Sequence, residues 1–207
     1  GRLIVRNGDV LGPPRSGMEH TRRTALRLLG GGITVALAGC MAPGNGGTVT
    51  DTASTPLAVR GSRPQWHDGD EAVGFSAVID GDDRAETARS QFALPDERAA
   101  TVDSFFEETD FESERVLLVE TVGPNACYGE VAFTNVALDG DTLDATATAT
   151  ARDADACADV ITYPSALLRV TFDGAPVDQA DVEIRDGWDG SVVLAASTTI
   201  CSRPSRS

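Results

Sequence analysis

Cysteine and histidine are the side chains best suited to covalent or metal chemistry, and this chain has four of the first and two of the second. Cys40 follows Leu37, Ala38 and Gly39. Small residues ahead of a thiol let a peptidase reach the backbone, and a cysteine left at a new N-terminus can be thioether-linked to a diacylglyceryl group. An ordinary cysteine at the end of a leader is the plain alternative. Beyond Cys40 the only histidine is His67, and the chain has no His-x-x-x-His, Cys-x-x-Cys or Gly-x-Ser-x-Gly. Paired zinc ligands and a nucleophile elbow are therefore missing. No metal, cofactor or catalytic set is expected, and His67 reads as a solvated or partly packed side chain. Acidic clusters occur at Asp80-Gly81-Asp82-Asp83, Asp139-Gly140-Asp141 and Asp186-Gly187-Trp188-Asp189-Gly190. None has the ligand intervals and terminal glutamate of a calcium loop. They read as solvated turns, with weak cation binding as the alternative.

Cys127 and Cys157 flank a hairpin expected to turn near Gly140. Pairing about that turn would bring them together at the open end. Outside the cell such a pair favours a disulfide; a redox-active pair is the alternative. Cys201 is left over, as a free thiol, an alternative partner or an intermolecular one. Trp66 and Trp188 are each read as capping the edge of a core or as contact residues.

Upstream, Arg22 and Arg23 precede an apolar run at 25–38 that holds Arg27 and three consecutive glycines. A spanning helix needs about 20 mostly apolar residues, so the run is too short and too rich in glycine to be a good permanent anchor. The order of basic, apolar and small-residue segments is that of an export signal. Thr21-Arg22-Arg23-Thr24-Ala25-Leu26 resembles the signal read by the twin-arginine translocase, with Ala25 where phenylalanine is common. Leu37-Ala38-Gly39-Cys40 resembles the lipobox of exported lipoproteins. These resemblances imply export to the outer face of the cell membrane and a diacylglyceryl anchor at Cys40, two acyl chains being enough for stable anchoring. Met18 is then the expected natural start, with 1–17 an upstream extension and 18–39 the signal peptide.

The 17 basic residues are all arginine and face 32 Asp and Glu, a formal net charge of −15. Without 1–39 the balance becomes 11 against 30, or −19. Such a surface repels nucleic acid phosphates and anionic headgroups, so no nucleic acid partner is expected. It also repels itself unless salt screens it. Acidity without lysine, with many Ala, Thr and Gly, resembles secreted proteins of halophilic archaea; an acidic secreted protein of a high-GC organism is the alternative.

Residues 40–65 read as the lipidated cysteine and a flexible tether, rich in Gly, Thr and Ser. The globular domain is expected over 66–196, with 197–207 a polar tail. Strands are expected at 71–80, 115–122, 128–138, 142–152, 166–172, 181–185 and 191–196. In 128–138 Val131, Phe133 and Asn135 share a face; in 142–152 Leu143, Ala145, Ala147 and Ala149 oppose threonines. Residues 81–83 and 173–176 read as turns, and Tyr163-Pro164 as a break. The one clear helix is expected at 95–109, with Pro95, Asp96 and Glu97 suiting its first turn and Ala99, Val102, Phe105 and Phe106 its apolar face. The fold class is α+β, mostly β: a small antiparallel sheet domain with one main helix.

Residues 105–172 resemble the small C-terminal domain of the PrcB protease-complex subunit family. The likeness is carried by Asp110-Phe111 ahead of an apolar strand, by the turn Cys127-Tyr128-Gly129, and by Tyr163-Pro164-Ser165-Ala166-Leu167-Leu168 before a closing strand. The two cysteines and the missing double glycine depart from that pattern. The resemblance implies an exported lipoprotein that accompanies surface proteases. The expected function is non-enzymatic: a lipid-anchored extracytoplasmic domain that binds a surface or secreted protein. A solute-capture lipoprotein of a transport system is the alternative, and an enzyme using carboxylates alone is a third reading.

Overall fold

Two runs in the middle of the chain, Val116 to Val119 and Ala166 to Leu168, are apolar at every position, and a strand of that kind needs cover on both faces. The computed structural model, which describes residues 47–67, 72–92 and 94–198, supplies it. In chain order the elements are β1 (Thr48–Arg60), β2 (Gly74–Ile79), α1 (Asp82–Ser90), α2 (Asp96–Glu107), β3 (Glu114–Thr121), β4 (Tyr128–Asp139), β5 (Thr142–Ala151), β6 (Tyr163–Asp173), β7 (Gln179–Arg185) and β8 (Ser191–Ser197). One sheet has the order β1-β6-β3-β2 and is antiparallel throughout. The second has the order β4-β5-β7-β8. It is antiparallel except at β5–β7, which is parallel.

The first sheet lies between the second sheet and the helices. Leu117 and Val119 of β3 meet Leu168 and Val170 of β6, with Leu143, Val182 and Ile184 from the second sheet. Val116 and Leu118 face the other way, onto Leu57, Val102, Phe105, Phe106 and Leu167. The expected alternation in β5 holds, with Leu143, Ala145, Ala147 and Ala149 all buried. Val182 and Ile184 share the inner face of β7 as expected.

The domain is α+β and mostly β, but it is neither a single sheet nor purely antiparallel. β5 and β7 run parallel because the chain leaves the second sheet between them and crosses the first sheet as β6. A parallel pair needs such a long crossover. The main helix is present as α2, with Val102, Phe105 and Phe106 buried. A second helix, α1, occupies the expected turn at 81–83. Asp82 and Asp83 are its first turn, where negative charge suits the macrodipole, and its buried residues are only Ala85 and Ala88. Two alanines three apart bury little surface, so the periodic signal is weak.

The expected tether is also corrected. Thr48–Arg60 is the long edge strand β1, paired with β6 from Thr48↔Asp173 to Arg60↔Tyr163. Its register shifts between Pro56 and Ala58, and an edge strand tolerates proline at such an irregularity. Tyr163-Pro164 does not break the pattern but opens β6, where Pro164 pairs with Val59. Asn135 leaves the face of Val131 and Phe133. A bulge between Thr134 and Ala137, with Asn135 at φ 53, turns its amide to Thr146 Oγ1 at 3.3 Å. Val136 and Leu138 then pack against the core in its place. Of the expected tail, Ser197 ends β8 and the Thr198 amide donates to the Asp178 carbonyl.

Met18, Arg22, Arg23, Cys40 and Cys201 lie outside the described residues. Among the described residues no helix is long and apolar enough to cross a membrane.

Leu57 of β1 is 1% exposed. Leu57→Ala is expected to cost about 2–5 kcal/mol of unfolding free energy in a denaturant titration. A substitution without effect would show that β1 contributes nothing to the folded body.

Candidate functional site

The strand registers place one group of chain segments at the same end of the molecule: the end of β1, the starts of β2 and β6, and the end of β3. Glu120 is the penultimate residue of β3. By alternation it shares the helix-side face of Val116 and Leu118, and it is 3% exposed. A carboxylate placed there must find partners or give up its charge.

Its partners come from β1 and the segment that follows. Trp66 donates its indole N–H to Glu120 Oε2. Arg60 Nε stands 3.2 Å from Glu120 Oε1 in an ion pair, yet neither of those two atoms makes an aligned hydrogen bond. Arg60 is held elsewhere by its Nη2, which donates to the Gln91 carbonyl at 3.0 Å, and by the Phe92 ring, 4.0 Å below the guanidinium carbon. Burial dominates the Glu120 carboxyl and pushes its pKa above the usual value; the Trp66 hydrogen bond and the Arg60 charge pull the other way without cancelling it.

The segment after β1 turns at Pro64, whose carbonyl accepts from the His67 amide. His67 is partly packed: its Nδ1 lies 3.2 Å from the Tyr163 hydroxyl, and its ring meets Trp66 and Tyr163 edge to face. A cleft of about 630 Å³ opens beside this cluster, lined by Trp66, Phe75, Phe92, Leu118, Arg60 and Glu120 together with Pro64, Gln65 and Gln91.

A second cleft of about 450 Å³ adjoins the same end, between His67, Val73, Val122, Ile161, Asp186 and Trp188. Its wall includes the turn after β7. There Asp186 Oδ1 accepts from the amides of Trp188 and Gly190, both at 2.8 Å, so this carboxylate caps its own turn. Gly187 is needed at that place, since a Cβ would lie 2.3 Å from Pro124 Cδ. The other acidic clusters are also absorbed by the fold: Asp80 pairs with Arg84 at 2.8 Å, and Asp139-Gly140-Asp141 forms the β4–β5 hairpin with Gly140 at φ 63. Among the described residues no three His, Cys, Asp or Glu side chains are grouped to hold a metal.

Cys127 and Cys157 are joined in a disulfide with a Cα–Cα distance of 5.5 Å. The pairing is as expected but the route is not. β5 ends at Ala151, so Cys157 belongs to an exposed loop that folds back on the hairpin's open end. The Ala126 amide donates to the Ala158 carbonyl, and Gly123 bridges to Thr162. The disulfide thus pins an exposed loop to a buried cysteine, Cys127 being 2% exposed.

The fold and site define a three-layer domain, helices over one sheet over another, with a polar-floored cleft at one end. No family model matches the sequence, and no curated protein or solved structure matches it either.

Sequence reasoning singled out Trp66, His67 and Trp188 separately and missed their shared end, as it missed Glu120 and Arg60. The available sign was a glutamate inside Val116 to Val122, a run of strand residues otherwise without charge.

Two outcomes follow. Because native Glu120 holds its proton more tightly than the unfolded chain, unfolding releases a proton between the usual value of 4.5 and the raised one. Stability relative to Glu120→Gln therefore falls as pH rises through that window, and is greatest below it. Paired denaturant titrations from acid to neutral pH check this, and a constant difference would contradict it. For the disulfide, whose cysteines are 30 residues apart, replacing both with serine is expected to cost about 3–4 kcal/mol in the same assay by the chain-entropy relation.

Proposed function

We propose that this chain is an exported lipoprotein, anchored through a diacylglyceryl group on Cys40, whose domain binds a partner protein at the cell surface and does no chemistry of its own. The twin-arginine pair Arg22-Arg23 and the Leu-Ala-Gly-Cys stretch support the address. The PrcB-like order of residues supports a protease-associated complex as the setting.

One observation carries the binding reading. Among the described residues the exposed large apolar side chains are Val59, Val160, Ile161, Trp188 and Val193. All but Val193 lie at the end that bears the clefts. Apolar side chains gathered in one exposed region mark interaction sites, where scattered ones do not.

β1 gives that end a direction. Eight residue steps separate Cys40 from Thr48, a reach of at most about 30 Å. β1 then runs about 40 Å from Thr48 to Arg60. On this reading the end where β1 begins is held near the membrane and the patch is offered away from it. Solute capture for a transport system is the second reading, favoured by the cleft at Glu120.

Photo-crosslinking residues at Val59, Ile161 and Trp188 in the lipidated protein, irradiated on intact membranes, should each give the same discrete protein adduct. Val193 serves as the exposed control and should not. Equal labelling from Val193, or no common adduct from the other three, would refute the assignment of this end as the contact surface. Membrane retention lost in Cys40→Ala is the expected companion result.

A further inference from the structure

Among the described residues the sheet edges are β1 and β2 in the first sheet, and β4 and β8 in the second. An edge offers its unpaired backbone groups to any other strand, and proteins blunt the edges that stay alone with proline, bulges, charge or cover. β1 carries Asp51, Pro56 and Arg60, and its register shifts at Val49/Asp51 and Pro56/Ala58. β4 carries Glu130 and Asp139, and its register shifts at Tyr128/Glu130 and Thr134/Ala137. β2 has no exposed residue. β8 has none of these protections. Ser191–Ser197 contains no proline and no charge, and its register with β7 is unbroken. Val193, at 64%, is the most exposed large apolar side chain among the described residues.

Two hydrogen bonds just beyond its ends set the direction of its backbone. The Asp186 amide donates to the Gly190 carbonyl, and the Thr198 amide to the Asp178 carbonyl. Residues of an antiparallel strand alternate between facing the partner and facing away. With Gly190 and Thr198 turned to β7, the N–H and C=O groups of Ser191, Val193 and Ala195 point to the open edge. The side chains of the same residues are exposed. A register that sets Val193 opposite Val193 sets Ser191 opposite Ala195, so a second copy meets every one of these groups with its own. No like charges face each other across such a pair, and the two Val193 side chains cover one another. We infer that β8 pairs antiparallel with β8 of a second copy, about a two-fold axis at Val193, and joins two four-stranded sheets into one.

β8 begins at the end that bears the clefts, where Trp188 and Gly190 line one of them, whereas β1 ends there. The two-fold axis therefore sets the cleft end of one copy beside the β1 start of the other. With Cys40 as the anchor, a reading on which this arrangement rests, the two tethers leave from opposite ends. The paired copies then stand on facing membranes.

Sedimentation velocity of the full chain carrying Cys40→Ala and Cys201→Ser, which bar lipid and intermolecular disulfides, tests the pairing itself. A reversible monomer–dimer equilibrium is expected in about 1 M salt, where the Debye length of about 3 Å screens the two acidic bodies from each other. Val193→Lys sets two cations opposite one another and should weaken dimerisation by about five-fold or more, although it lowers the net charge. Ala195→Pro removes an N–H that β7 does not use and should act alike. Thr101→Lys adds the same charge at an exposed position of α2 and should leave the equilibrium unchanged. A chain that stays monomeric, or whose association neither edge variant weakens, overturns the pairing whatever the role of Cys40. Two vesicle populations test the facing arrangement, each bearing the lipidated protein with its own tag and a photo-crosslinking residue at Val193. Mixed and irradiated, they should give adducts that join the two tags; these are the chain with itself, unlike the partner adduct expected at Val59, Ile161 and Trp188. Adducts within one tag alone, from a chain that dimerises in solution, overturn the facing arrangement. On intact membranes, a Val193 adduct with a different protein in place of a second copy overturns the choice of occupant.

Discussion

β6 is apolar on both faces, and meeting that requirement arranges the three layers. Ala166, Leu168, Val170 and Phe172 look toward the second sheet, and Leu167 looks toward the helices. The strand can be satisfied only at the centre of a sheet covered on both sides, so β1 and β3 flank it and the helices and second sheet close over it. Arg169, on the helix side, stays near water at the layer's margin, with Glu114 at 3.8 Å and the Phe105 ring beneath it. At the other end of the same face the cover gives way to the cleft, and there the sheet carries Glu120 and Tyr163 instead of aliphatic side chains.

The arrangement at Glu120 differs from ordinary surface ion pairing. A surface pair contributes little, about 0–1 kcal/mol, and a buried one must first recover the cost of leaving water. Here the recovery is partial, since burial still outweighs Trp66 and Arg60 in setting the carboxyl's proton affinity. The same residues tie three segments together: Arg60 from β1, Trp66 from the turn beyond it, and Gln91 and Phe92 from the end of α1. The site therefore sits where loosely related parts of the chain meet, and small displacements there would be felt by all three.

Much of the sheet framework is legible in the sequence. The alternation at Leu143 to Ala149, the paired Val182 and Ile184, and the helix through Val102, Phe105 and Phe106 each follow from local pattern. What escaped local pattern was decided by distant partners. Thr48 to Arg60 reads as a tether because its threonines and serines resemble linker composition; it is a strand because β6, more than a hundred residues later, offers it an edge. The α1 helix carries so few apolar residues that Gly81 and its first two positions, Asp82 and Asp83, read as a turn. The disulfide was found by an argument about a hairpin that Cys157 has already left. At the site, Trp66 and His67 were visible as residue types, but their convergence on Glu120 and Tyr163 depends on how the ends of β1, β3 and β6 are brought into register.

The pairing of β1 with β6 has a consequence for the order in which the protein can be made. Ala58 is tied to Ser165 across 107 positions and Thr50 to Thr171 across 121. Contacts that span so much chain are slow to form, because the loop between them must close first. β1 is among the first parts of the domain to leave the ribosome, and the strand it pairs with, β6, is synthesised much later. The parallel β5–β7 pair waits on the same strand. When β6 arrives it pairs with both β1 and β3, so a strand from the start of the domain is fixed only late in its synthesis.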